Sequence, residues 1–171
     1  LLNSFQKIFQ KYILIHNDNT NLPHRNSYGV NWNLVVAHFQ KLGYLVLQVG
    51  NNPMGRIAPH FNCSTLDMLM FMCKGADLVI GLDSGVIQLA VALGTPCVVL
   101  AGSVDIKLRY VDFGNIGVVQ GDCPSLENKN CYHKSVGTTG SECVYDKKCP
   151  PCCVHSEFFL IKEANKLLKL N

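Results

Sequence analysis

The chain has no dense run of Lys or Arg, no apolar stretch that could span a bilayer, no signal-peptide arrangement at its start and no internal repeat. Each absence removes a class of function. Nucleic-acid binders normally show a basic face or run; here a formal net charge of +3 from scattered residues leaves only a mild bias toward anionic ligands. Crossing a bilayer takes about 18 to 20 apolar residues, and the runs present are far shorter, so a soluble chain is expected. Low charge excludes a disordered tail: 16% of the 171 residues are charged and 48% are hydrophobic, enough for one domain with a substantial core. The start, "LLNSFQKIFQKY", has no methionine, as in a processed product or a piece of something longer.

Short apolar runs recur at Tyr12 to His16, Leu45 to Val49, Leu78 to Leu82, Cys97 to Leu100 and Ile116 to Gln120. They are near-continuous in Val, Leu and Ile rather than alternating, which suits parallel strands covered on both faces. Between them lie helical patterns. Trp32 to Leu42 gathers its apolar residues on one face and ends at Gly43; Ser64-Thr65-Leu66-Asp67 reads as a capped helix start. A short helix from Gly85 to Leu93 is stopped by Gly94 and Pro96, and Ser156 to Leu170 reads as a closing amphipathic helix, with Phe158, Phe159, Ile161, Leu167 and Leu168 expected on the sheet. Right-handed crossovers then give an α/β fold with a doubly wound parallel sheet.

In this arrangement Asp83-Ser84-Gly85 falls at the carboxyl end of one strand and the N-terminus of the next helix. Open α/β sheets bind ligands at that edge, and a helix N-terminus offers free N–H donors and partial positive charge to a phosphate. Ser84 adds a hydroxyl, Gly85 allows close approach, and Asp83 accepts a sugar hydroxyl or orients the loop. The same three residues would also serve as a plain cap and turn.

The surrounding segment, "STLDMLMFMCKGADLVIGLDSGVIQLAVALGTPCVVLAG", resembles the most distinctive part of glycosyltransferase family 9, the lipopolysaccharide heptosyltransferase-like enzymes. The match is tight from Ser64 to Gly102 and looser from Tyr12 to Leu170. The resemblance implies a Rossmann-like, nucleotide-sugar-binding half of a GT-B fold occupying 1–171, in which Asp83, Ser84 and Gly85 hold the donor's diphosphate and sugar. Gln88 stands where many members have His; it can hydrogen-bond a hydroxyl or phosphate but cannot transfer a proton. The first strand-to-helix loop, "HNDNTNLPHRNSYGVNW", also matches in place, with Asn17 as a donor contact. Trp32 fits the family's Lys-x-Trp, but Val30 stands at the lysine, leaving His24 or Arg25 to supply the charge. Gly50 and Asn51 occupy the turn that lines the base or ribose.

The family works across a cleft between two such domains, and only one fits here. No catalytic residue is therefore assigned in this chain, and transfer is expected only with an acceptor domain preceding Leu1. The implied partners are a nucleotide-diphospho-sugar donor and a glycan or glycolipid acceptor, in cytoplasmic cell-surface glycan or lipopolysaccharide synthesis peripheral to the inner membrane. A nicotinamide dehydrogenase is disfavoured because "HNDNTNLP", not G-x-G-x-x-G, follows the first strand. The rival is a non-catalytic binding or assembly module.

Nine cysteines are present. Cys63, Cys73 and Cys97 read as small core residues. The others, Cys123, Cys131, Cys143, Cys149, Cys152 and Cys153, fall in a polar insertion over about 121–153 that needs a staple. Cys131, Cys143, Cys149 and Cys152, with His133 and His155 nearby, could hold a structural zinc, and disulfides serve equally; a single "CPPC" does not decide between them.

Overall fold

All five apolar runs form strands: β1 (Tyr12–His16), β2 (Leu45–Val49), β4 (Leu78–Leu82), β5 (Cys97–Ala101) and β6 (Ile116–Gln120). A further strand, β3 (His60–Phe61), pairs two residues with β2 and is too short for any hydrophobic period to announce it. The structure, a computed structural model, describes residues 11–18, 23–103, 106–110, 114–123, 143 and 145–170.

Every pairing between the strands of the sheet is parallel, and the order across it is β3-β2-β1-β4-β5-β6. The chain winds outward from β1, then returns to begin again beside β1 with β4. That reversal makes the carboxyl ends of β1 and β4 a topological switch point, the usual ligand crevice of an open α/β sheet. His16 stands opposite Gly81 at this edge. A Cβ on Gly81 would lie 2.7 Å from the His16 carbonyl oxygen and 3.1 Å from its Cβ, so glycine is what lets the two strands close up there.

Alternate residues of each strand feed opposite faces. Ile13, Ile15, Ile80, Val98 and Leu100 pack under α1 (Trp32–Lys41) and α5 (Glu157–Leu167), whereas Leu14, Val79, Cys97 and Val99 pack under α2 (Leu66–Gly75) and α3 (Gly85–Ala92). Burial on both faces is the reason the strands read as unbroken apolar runs. The helix ends follow the sequence signals at Thr65, which accepts from the N–H of Met68, and at Gly43 and Gly94, which take positive φ of 83° and 76°; Asn31, accepting from the N–H of Leu34, caps α1 in addition. Cys73 and Cys97 are fully buried, and burial pushes both thiols up to about 12, as befits inert core residues.

Helix α5 corrects one expectation. Leu160 and Ala164 are fully buried, and Ile161, Leu167 and Leu168 pack partly against the same core. Phe158 and Phe159 instead remain 67% and 55% exposed. Leu160 and Ala164, four apart, define the buried stripe, and at about 100° per residue the two phenylalanines fall off it.

The chain entering α5 clasps the first loop. Tyr28 N–H donates to the Cys153 carbonyl and His155 N–H to the Tyr28 carbonyl, both at 2.8 Å. The buried His155 ring lies 2.8 Å through Nε2 from the Ala101 carbonyl and 2.8 Å through Nδ1 from Ser27 Oγ. A carbonyl only accepts, so Nε2 carries the proton and Nδ1 accepts from Ser27. Burial holds this imidazole below its usual value, against the Ala101 carbonyl, which favours the charged ring.

Candidate functional site

Ser84 is the N-cap of α3, yet its side chain makes no cap bond. Its Oγ lies 3.1 Å from Nδ1 of His16, the last residue of β1. The hydroxyl thus joins the two strand ends across the switch point, and a pure capping role for Ser84 does not describe it. Gly85 begins the helix, and a Cβ placed on it would meet nothing within 4 Å. That empty space belongs to an open cleft of about 610 Å³ lined by His16, Ser84, Gly85 and Gln88 on one side and by Leu66, Leu69, Val86 and Leu89 as apolar walls. Three of the expected contacts, Ser84, Gly85 and the exposed Gln88, therefore share one cavity.

Asp83 is held from outside the cleft's lining. Its Oδ2 accepts from the Arg109 guanidinium at the end of α4 (Ile106–Arg109), and its Oδ1 accepts from the Tyr110 hydroxyl at 2.9 Å. Burial, reinforced by the Asp83 charge and the bond to it, raises the Tyr110 phenol well above its usual range, so Tyr110 stays a donor. These two bonds tie the end of β4 to the end of α4, as loop orientation requires. They also bring to the strand edge a cation, Arg109, that sequence reasoning sought at His24 or Arg25.

The first loop is organised by a residue that sequence reasoning passed over. Asp18 Oδ2 accepts from the N–H groups of Asn51 and Asn52 at 2.8 and 3.1 Å and lies 3.6 Å from His16 Nε2. Burial works against its charge, but the bonds from His16 and from those two amides outweigh it and hold the carboxyl below the usual carboxylate value. Asp18 Oδ1 fills the space where a Cβ on Gly50 would stand, and Gly50 has a φ of 136°. Gly50 is glycine for both reasons. Gly50 and Asn51 thus meet the first loop through backbone. Asn17 is buried: Gln48 Nε2 donates to its Oδ1 at 2.7 Å, so it braces β1 against β2. Arg25 lies exposed on a 3-10 turn over Pro23–Arg25, and Val30 packs partly against the core beside Trp32. The His24 side chain lies outside what is described.

Of the four cysteines expected to ligate metal, Cys131 lies outside the described residues, as does His133. The described cysteines, Cys143, Cys149 and Cys152 among them, are free thiols. Among the described residues no three His, Cys, Asp or Glu side chains form a ligand set, and both nitrogens of His155 are already engaged. Cys152 and Cys153 are buried with sulfurs 3.8 Å apart; the bond between them lowers the Cys152 thiol and raises that of Cys153.

No family model matches the chain, and no curated protein matches it in sequence. The fold does match solved structures. The glycosyl transferase family 9 protein from Veillonella parvula aligns with 93% of this chain and 46% of its own, at 18% identity and a TM-score of 0.66. The E. coli ADP-heptose LPS heptosyltransferase II aligns with 98% of this chain and 51% of its own, at 14% identity and a TM-score of 0.65. The iron-containing dodecameric glycosyltransferase TibC of enterotoxigenic E. coli aligns with 94% and 45%, at 20% identity and a TM-score of 0.68; TibC has also been solved in complex with ADP-D-β-D-heptose. The chain has a family 9, heptosyltransferase-like fold. It spans about half the length of these structures.

Within this heptosyltransferase-like fold, the residues sequence reasoning missed are His16, Asp18, Arg109 and Tyr110. His16 and Asp18 flank Asn17, so the signal was adjacency to a strand end. It became readable only once the strand order put β1 beside β4. Arg109 and Tyr110 follow β5 and carry no motif. Chemically, the cleft combines a hydroxyl, the unpaired N–H groups of a helix N-terminus, a histidine and a neutral amide: equipment for holding an anion and hydroxyls.

Proposed function

We propose that this chain is the nucleotide-diphospho-sugar-binding half of a glycosyltransferase resembling the heptosyltransferases, acting in cell-surface glycan or lipopolysaccharide synthesis at the cytoplasmic face of the inner membrane. The observation that carries the reading is the open start of α3. The Ser84 hydroxyl is not used as a cap, and the space above Gly85 is empty and part of a cleft of about 610 Å³. Ser84 and the first-turn N–H groups hold the donor diphosphate, and Gly85 lets it approach the backbone. Gln88, one turn on, reaches a sugar hydroxyl or phosphate oxygen. Leu66, Leu69, Val86 and Leu89 pack the apolar faces of sugar or base, and Asp83 keeps Arg109 at the rim. The ADP-heptose held by TibC is a donor of this chemical class. Acceptor binding and the general base are assigned to a second domain, and none of the described residues is given a catalytic role.

No helix among the described residues is long and apolar enough to cross a membrane. The Cys-rich loop is stapled either by a structural zinc on Cys131, Cys143, Cys149 and Cys152 or by disulfides among its cysteines; either staple would fix the loop and take no part in transfer.

The test is a protein-observed NMR titration with ADP-ribose, a nucleotide-diphospho-sugar. Shifts concentrated on Ser84 to Gln88 are expected. Silence there at millimolar ligand overturns the assignment.

A further inference from the structure

We propose that His16 makes this anion site proton-linked, so that a protonated ring turns the Ser84 hydroxyl toward the ligand's phosphate and places a cation behind it. The inference rests on reading the cleft as the diphosphate site. His16 is 93% buried by its own strand end and neighbours, at 7% exposure, yet it borders the cleft. It stands between two partners, with Nδ1 3.1 Å from Ser84 Oγ and Nε2 3.6 Å from Asp18 Oδ2.

Ser84 has one hydroxyl hydrogen to give. With a neutral ring whose proton faces Asp18, Nδ1 is an acceptor and takes that hydrogen. The hydroxyl then shows only lone pairs to the cleft, and a phosphate oxygen is repelled. When the ring gains a second proton, Nδ1–H donates to Ser84 Oγ, and the hydroxyl hydrogen is released to point at the phosphate. The added positive charge works in the same direction.

The surroundings isolate this effect. Asp18, held ionised by the amides of Asn51 and Asn52, balances the new charge from the first loop. At the end of β4, Gly81 contributes only backbone against His16, and Asp83 is already paired with Arg109. From α2 and α3 the cleft is lined by Leu66, Leu69, Ser84, Gly85, Val86, Gln88 and Leu89, so His16 is the one titratable residue in the described lining. His16 is a positioning residue: it acts through Ser84 and through its charge.

The test is calorimetry with ADP-ribose across pH 5.5 to 8, where its diphosphate, a diester, does not itself titrate. Binding should be about tenfold tighter at the acid end, the size of one charge-assisted bond gained, and binding should take up a proton, read as a dependence of the heat on the buffer's ionisation enthalpy. His16→Gln should abolish both the pH dependence and the proton uptake. Ser84→Ala, which leaves the ring in place, should contract the affinity ratio between acid and alkaline pH toward one, and it decides the matter if the His16 variant does not fold. A wild-type affinity that is flat with pH, or a ratio unchanged in both variants, overturns the proton linkage while leaving the donor site standing. Absence of binding at every pH overturns the donor site and the linkage with it.

Discussion

Replacing Gly85 with alanine separates folding from binding at a single atom. Gly85 is the first residue of α3, its φ lies outside the left-handed region, and a Cβ there would meet nothing within 4 Å. The folded chain can therefore accept the methyl without strain, while the unfolded chain loses freedom. Such a substitution stabilises by about 0.4 to 1 kcal/mol. For a chain of 171 residues, that corresponds to a rise in Tm of about 1 to 4 °C. Binding should move the other way. A methyl in the path of the diphosphate holds it off the backbone and breaks one or two charge-assisted bonds, so ADP-ribose affinity should fall by roughly ten- to a hundredfold. The control is Gly94→Ala. Gly94 ends the same helix with equally open space, but its φ is 76°, so alanine should cost about 1 to 2 kcal/mol and leave binding untouched. Scanning calorimetry gives the Tm values and titration gives the affinities. A Gly85→Ala protein that binds as well as wild type would refute the approach of ligand over that residue; one that melts lower would refute the geometry itself.

Three further outcomes follow from the fold. Gly81→Ala should lower stability by about 1 to 3 kcal/mol, read from the denaturant midpoint, because its methyl meets the His16 carbonyl oxygen at 2.7 Å and must part β1 from β4; an unchanged midpoint contradicts the close approach of those strand ends. The depressed His155 means that the unfolded chain takes up a proton more readily than the folded one, so the stability tied to this group is complete above its ordinary value of 6.5 and is lost as pH falls from there through the folded value. His155→Gln should flatten that part of the Tm-against-pH curve, and an equal slope in the variant counts against the clasp. If zinc is the staple of the Cys-rich loop, metal analysis of protein purified without chelator should find one zinc per chain, released by cysteine-directed reagents together with a loss of stability; metal-free protein with the same Tm removes the zinc alternative.

How much of this was legible in the sequence depends on the range of the interactions involved. The strands were legible because burial on both faces writes itself as unbroken runs such as Leu78 to Leu82, and the helix ends because Thr65, Gly43 and Gly94 act on their immediate neighbours. Ser84 and Gly85 were legible as a pair at a strand end. β3 was invisible because two residues carry no period. The partners of Asp83 were invisible because Arg109 and Tyr110 lie more than twenty residues away, in a segment without a motif. Phe158 and Phe159 were misplaced because an amphipathic stretch with apolar residues on more than one side does not say which stripe the sheet will take; Leu160 and Ala164 took it.

The strand order explains why the pairing of His16 with Ser84 escaped a reading that found the elements. His16 and Ser84 are 68 positions apart, and nothing in either neighbourhood points to the other. They meet because β4 returns to lie against β1 rather than continuing outward, and because Gly81 lets the two carboxyl ends come together. The same closure that builds the crevice therefore sets the partner of the Ser84 hydroxyl. A helix N-terminus preceded by serine occurs in many proteins as a simple cap. Here the fold diverts that hydroxyl from the helix to a buried histidine backed by Asp18, and the unpaired N–H groups at the start of α3 are left facing the cleft. Removing the histidine should therefore return Ser84 to ordinary capping. A bond from Ser84 Oγ to the first-turn amides of α3 in the structure of His16→Gln is the expected sign, and a Ser84 rotamer unchanged in that variant would show that the backbone, not His16, sets its direction.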